Sequence, residues 1–374
     1  MRGWRLFTIS GIDIEINYSW LFIFILLVMA LSMDMRQAAP DAASWQPLFA
    51  GTLAALLLFA SVLFHELAHS FTARRFGIGI ARITLFIFGG LAQTKGDAQT
   101  GRSEMLIAAI GPLSSLALAA VLLGLGAGLA LLPLGPLPAA VVHRVGIINI
   151  YLAVFNLLPA FPLDGGRLLR GSLWELWGDL RRSTRLATTL GRLFGYVLIA
   201  IGVYYTFTSG FINGLWFFGL GYLLTQAATQ SWQSLRVREA LSAISVGHAV
   251  RPIPAVLTPD ASLEQAIQQF LAPYRLELMP VAEDGVLIGI LETSTLSRYS
   301  RPSWPHLTVR QAMTPWDPEK MLLPASMDLG AAVDKMSAEE RREVLVVDDQ
   351  GQLLGILTQH DIIAAAQRLG PMAL

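Results

Sequence analysis

No residue between Leu48 and Phe64 carries a charge, and the same is true of 18–33, 105–142 and 193–235. A bilayer core takes about 20 consecutive apolar residues per crossing helix, and only helices or closed barrels cross it with every backbone group paired. The 374 residues are 54% hydrophobic and 14% charged, too apolar for an ordinary soluble domain. The runs predict an α-helical polytopic membrane protein. Pro133, Gly135, Pro136 and Pro138 break the run 105–142, and Ser209-Gly210 breaks 193–235, so six transmembrane helices are expected. The first spans Tyr18 to Met33, a polar loop covers Asp34 to Pro47, and the second helix spans Leu48 to about Arg74. Met105 to about Leu132, about Pro138 to Leu158, and a helical hairpin within 193–235 complete the set, with 164–192 read as a loop. Two strand signals accompany them, one before the first span and one after the second. Leu6 to Asn17 alternates around a turn at Ser10-Gly11, and Ile83 to Phe88 with Leu91 to Thr94 flank Gly89-Gly90, which predicts a hairpin dipping into the membrane.

The second apolar run ends in Phe64-His65-Glu66-Leu67-Ala68-His69. A charged side chain at the bilayer centre costs roughly 2.5–3.5 kcal/mol on insertion scales, so ionisable groups there mark a functional site. His65 and His69 are one helical turn apart on one face, the separation two imidazoles need to grip one Zn²⁺. Glu66 follows directly and is placed to serve as a general base. The bland alternative, a solvated surface helix, does not suit so apolar a setting.

A third ligand must come from elsewhere, and because cysteine is absent it must be His or carboxylate. The fourth span delivers Asn156-Leu157-Leu158-Pro159-Ala160-Phe161-Pro162-Leu163-Asp164-Gly165-Gly166-Arg167. Asp164 is the candidate; the alternative is a turn that merely ends the span. The remaining histidines, His143, His248, His306 and His360, share no ligand spacing.

Zero net charge conceals a division, with 15 Lys+Arg against 10 Asp+Glu in 1–235 and 12 against 17 in 236–374. The N-terminal segment and the stretches 74–102 and 164–192 hold 13 Lys+Arg, whereas the opposite loops hold only Arg36 and Arg144. The first group is expected on the cytoplasmic side, with both termini. The second part repeats internally: Val246–Pro252 matches Val309–Pro315, Leu263–Ile267 matches Leu329–Val333, and Asp284–Leu291 matches Gln350–Leu357. Each unit reads helix, strand, Gly turn, strand, helix.

Residues 1 to about 230 resemble the site-2 proteases, a family of intramembrane zinc metalloproteases. The likeness rests on His65-Glu66-x-x-His69, on Gly89-Gly90, and on Asn156-x-x-Pro159-x-x-Pro162-x-Asp164-Gly165. It implies one Zn²⁺ per chain on His65, His69 and Asp164, with Glu66 as catalytic base. It also implies that Asn156 orients the substrate and that the hairpin at Gly89 and Gly90 pairs with it as an added strand. The substrate so implied is a single-span membrane protein, a membrane-anchored regulator, cleaved in the plasma membrane by a multi-pass enzyme. The duplicated part resembles a cytoplasmic α/β pair of cystathionine-β-synthase-type (CBS) domains, giving domains at 1–235, 241–300 and 301–370. That likeness implies a regulatory tail, a homodimer contact, and at most one adenine nucleotide, at Thr358 and Asp361. The first repeat has Glu292 and Thr295 in those places, and a carboxylate repels phosphate. No nucleic-acid partner is expected. Two rivals are a catalytically silent membrane chaperone of the same fold, which would lack Glu66 or a ligand, and a metal transporter, which would show further ionisable residues along its spans.

Overall fold

The computed structural model describes residues 3–86, 89–94, 96–208, 210–253, 255–274, 276–315, 317–339 and 341–368. The chain divides into two compact units, Met1–Gln233 and Ser234–Leu374.

The first unit opens with β1 (Gly3–Ile9) and β2 (Ile12–Asn17), an antiparallel pair turning at Ser10-Gly11, both at positive φ. Asn17 then caps α1 (Tyr18–Ala38), its side chain accepting the Ser19 N–H at 3.0 Å. Helix α2 (Trp45–Arg75) follows, so the connection is much shorter than the expected Asp34–Pro47 loop. The polar residues that suggested a loop are held inside or beside the helix: Asp34 pairs with Arg144 at 3.1 Å, and Arg36 donates to the Ala42 carbonyl at 3.0 Å. Next come β3 (Ile80–Phe86) and β4 (Gly89–Thr94), antiparallel to each other. Ile87 and Phe88, the expected end of the strand, lie outside the described residues. Strand β3 also pairs in parallel with β2, Ile14 opposite Ile83, so the two expected hairpins merge into one sheet of order β1-β2-β3-β4 with β4 at its edge. The buried Ile12, Ile14, Ile80 and Ile83 pack under this sheet against Ala73 of α2.

Three further elements frame the centre: α3 (Gly101–Ala130), α4 (Pro136–Asn156) and α5 (Asp164–Trp177). A reciprocal Thr100–Ser103 cap starts α3, and Gly178 at φ 66° stops α5. Helix α5 and the early start of α6 (Leu180–Thr208) occupy what was expected to be a loop over 164–192. Charges concealed them, because in α5 the arginines share a helix with buried Gly165, Gly166 and Gly171. The expected fifth span from Leu193 is the apolar continuation of α6. Helix α7 (Phe211–Ser242) begins in this unit and its last residues belong to the second.

Among the described residues, five helices, α1, α2, α3, α4 and α6, are long and apolar enough to cross a membrane. Their outer faces carry large uncovered side chains, such as Phe22 and Phe49 at 60% and 65% exposure, which water would not tolerate in this number and lipid does. This is a multi-pass membrane protein. Helix α7 has the length, but Thr225, Gln226 and Gln230 dilute its apolar character.

The second unit contains two three-stranded sheets. One is β5 (Leu278–Glu283), β6 (Val286–Glu292) and β7 (Thr314–Pro315); the other is β8 (Leu322–Pro324), β9 (Glu343–Val347) and β10 (Leu353–Thr358). Asp284 and Gly285, both at positive φ, make the two-residue turn between β5 and β6. The leading stretches of the repeats are exchanged. Thr314, from the second, pairs with Ile290 of β6, and Arg251, from the first, bridges Ile356 of β10.

Candidate metal centre

Helix α2 carries His65 and His69 on a buried face, and Asp164 enters as the first residue of α5, also buried. His65 Nε2 lies 3.1 Å and His69 Nε2 3.2 Å from Asp164 Oδ2, and the two nitrogens are 3.1 Å apart. A tetrahedral zinc with bonds of about 2.0–2.1 Å separates its ligand atoms by about 3.3 Å. The three atoms therefore already outline one face of such a tetrahedron, and a site with three protein ligands keeps a fourth position for chemistry. Among the described residues this is the one grouping of three or more potential ligands close enough to share an ion.

Helix α3 fixes the imidazoles from behind. His69 Nδ1 stands 2.6 Å from the Ile107 carbonyl oxygen, which can only accept, so Nδ1 holds the proton and Nε2 presents a lone pair. His65 Nδ1 meets the Ser115 hydroxyl at 2.9 Å. Between them Gly111 leaves the space both rings need: a Cβ there would stand 2.1 Å from His69 Nε2 and 2.8 Å from His65 Nε2.

The trio opens into a cavity of about 550 Å³ that is also lined by Glu66, Asn156, Arg167 and the β4 residues Gly89 and Gly90. Strand β4 passes so close to α2 that a Cβ at Gly90 would come within 2.4 Å of Glu66 Cγ. An edge strand, a carboxylate beside the ligands and a polar amide thus converge on one space in apolar surroundings. Such a space suits an extended peptide.

The sequence profile of peptidase family M50 matches residues 53–135 and 137–201, and that of the CBS domain matches 246–301 and 309–368. A zinc metalloprotease of Methanocaldococcus jannaschii is 30% identical over 363 residues, 96% of this chain and 95% of its own. A Synechocystis protein named provisionally as a zinc metalloprotease is 31% identical over 367 residues, 97% of this chain and 95% of its own. The chain belongs to peptidase family M50. Among solved structures it is similar to a site-2 protease from Methanocaldococcus jannaschii, with 28% identity and a TM-score of 0.44, over 62% of this chain and 95% of that one.

In this M50 chain the residues singled out in the sequence, His65, Glu66, His69, Asn156, Asp164, Gly89 and Gly90, all line one cavity. Ile107, Gly111 and Ser115 were missed. They repeat every four residues along α3, and that spacing of a carbonyl, a missing side chain and a hydroxyl on one face was the signal available. In the CBS unit Thr358 and Asp361 also meet. Asp361 Oδ2 accepts the Thr358 hydroxyl at 2.6 Å, and Oδ1 is held by Arg251 Nη2 at 2.6 Å. Glu292, at the matching place in the first repeat, is paired with Arg341.

Proposed function

We propose that the chain is an intramembrane zinc metalloprotease of the site-2 type. It hydrolyses a peptide bond within or near the transmembrane segment of a single-span, membrane-anchored regulatory protein. The observation that carries this reading is the trio of ligand atoms 3.1–3.2 Å apart, with Glu66 in the same cavity. His65, His69 and Asp164 would hold one zinc ion. Such an ion supplies a Lewis acid and brings the pKa of water towards neutrality.

Glu66 takes a proton from the attacking water as the water oxygen bonds to the carbonyl carbon and the π pair moves onto the carbonyl oxygen. The C–N bond then breaks, the nitrogen leaves with its electron pair, and Glu66 returns the proton to it. A helical substrate must first unwind, because its carbonyls are committed to its own backbone. Pairing with the edge of β4 offsets part of that loss, and Asn156 holds the strand in register.

In this reading α7 is the sixth span and both termini are cytoplasmic, with the enzyme in the plasma membrane; the excess of Lys and Arg on one side supports that orientation. The protease domain is 1–235 and the CBS domains are 241–300 and 301–370. The CBS pair takes one adenine nucleotide at Thr358 and Asp361, where the ribose replaces Arg251 on the Asp361 carboxylate, and it joins two chains as a homodimer. Calorimetric titration with ATP, ADP and AMP, compared with Asp361→Ala, tests the nucleotide.

The decisive test of the protease is Glu66→Gln. Cleavage of a single-span substrate should vanish while zinc remains near one per chain, because Glu66 is a base and not a ligand. Retained cleavage sinks the mechanism; lost zinc sinks the role assigned to Glu66.

A further inference from the structure

Arg167 stands one turn after Asp164 on α5 and lines the cavity beside Glu66, Asn156 and β4. No other Lys or Arg among the described residues lines it. Its nearest carboxylate oxygen, Asp164 Oδ1, is 3.9 Å from Nη1, too far for a hydrogen bond. Asp164 Oδ2 faces the two imidazoles, so the guanidinium and the metal position flank the same carboxylate through different oxygens. Arg170, one turn further along, is committed elsewhere. Its Nε donates to buried Glu104 at 2.7 Å, and its guanidinium lies 4.8 Å from the Phe161 ring centre.

The Arg167 side chain is 32% exposed and no side chain among the described residues lies within hydrogen-bond reach of its guanidinium, so its donors stay open to an acceptor bound in the cavity. Peptide hydrolysis creates such an acceptor. The scissile carbonyl oxygen is neutral in the substrate and negative in the tetrahedral intermediate, and a fixed cation beside it stabilises the second state more than the first. We propose that Arg167 is a catalytic residue that donates a hydrogen bond to the scissile carbonyl oxygen as negative charge develops there. This rests on the protease reading. The rival is that Arg167 only steadies Asp164, which makes it a prop for a metal ligand.

The test uses the full chain in detergent, with Arg167→Gln, Arg167→Lys and Arg167→Ala. Three quantities are read: zinc content, kcat and KM on a single-span substrate, and the Kd of a phosphinic peptide, whose tetrahedral anion mimics the intermediate. Substrate affinity is measured separately in a Glu66→Gln background. Zinc and substrate affinity should hold, while kcat and phosphinate affinity of Arg167→Gln fall by about 10²–10³, the effect of removing one oxyanion donor. Added guanidinium ion, but not urea, should restore part of the activity of Arg167→Ala. Zinc loss that tracks the activity loss overturns the proposal in favour of the prop. So does unchanged phosphinate affinity. A wild type that cleaves while Arg167→Gln matches it overturns this proposal alone, whereas a zinc-loaded wild type that cleaves nothing overturns the protease reading first.

Discussion

At Gly111 a methyl group would stand 2.1 Å from His69 Nε2 and 2.8 Å from His65 Nε2, inside the contact limit of both atoms. Gly111→Ala should therefore abolish zinc retention while leaving α3 folded, since alanine favours a helix over glycine by about 1 kcal/mol. Metal analysis and circular dichroism on one preparation check both halves. Asp164→Asn should lower zinc occupancy less completely, because an amide oxygen remains a weak ligand. Asn156→Ala should keep zinc and slow turnover. The histidines, Glu66 and Asp164 were legible in the sequence because their chemistry resides in the side chain. Gly111 and Ile107 were not, because one acts through a missing side chain and the other through a carbonyl that every residue owns. Burial at Glu343 makes a different prediction. The Glu277 and Leu278 N–H groups donate to it at 2.8 and 3.0 Å, yet burial pushes its carboxyl up. A raised folded value means that the native state binds the proton more tightly, so this stability is complete below the ordinary glutamate range and fades as pH rises through the folded value. The melting temperature of the CBS unit should fall over that window, and Glu343→Gln should flatten the slope.

Asp164 is only as well placed as the helix that begins with it. Helix α5 is strapped to the first turn of α3 by the buried Glu104–Arg170 pair and by the Arg102 N–H, which donates to Glu175 at 3.0 Å. Glu104→Ala leaves Arg170 without its partner and should cost about 3–5 kcal/mol. It should also speed zinc loss to a chelator. Adding Arg170→Met should recover part of the stability, because it removes the cation left without its partner, while the space vacated by the Glu104 side chain remains. Melting in detergent across the double-mutant cycle decides it. The apolar spans were readable because lipid imposes a simple rule on them. Helix α5 obeys a subtler one, since its arginines are distributed between a cavity and a buried partner, and their number alone looked like a loop.

Over the whole molecule, the crossed leading stretches of the CBS repeats mean that each repeat adds backbone pairing to the other's sheet. Thr314 serves β6 of the first repeat and Arg251 serves β10 of the second. A fragment ending near residue 300 should remain unfolded, whereas 234–374 should melt in a single transition, as calorimetry of both fragments would reveal. The repeat was visible in the sequence as paired motifs, but the exchange was not, because self-pairing and crossed pairing need the same residues.

The metal trio has a comparable dependence on distance along the chain, with 95 residues separating His69 from Asp164. A ribosome delivers the two imidazoles long before the carboxylate, and the helices between must be threaded and packed before α5 can close the site. A chain truncated or stalled before α5 therefore lacks the carboxylate of the trio. The trio of ligand atoms is complete only after the surrounding scaffold exists to confine it, so the order of synthesis itself withholds the site until the helices around it are in place.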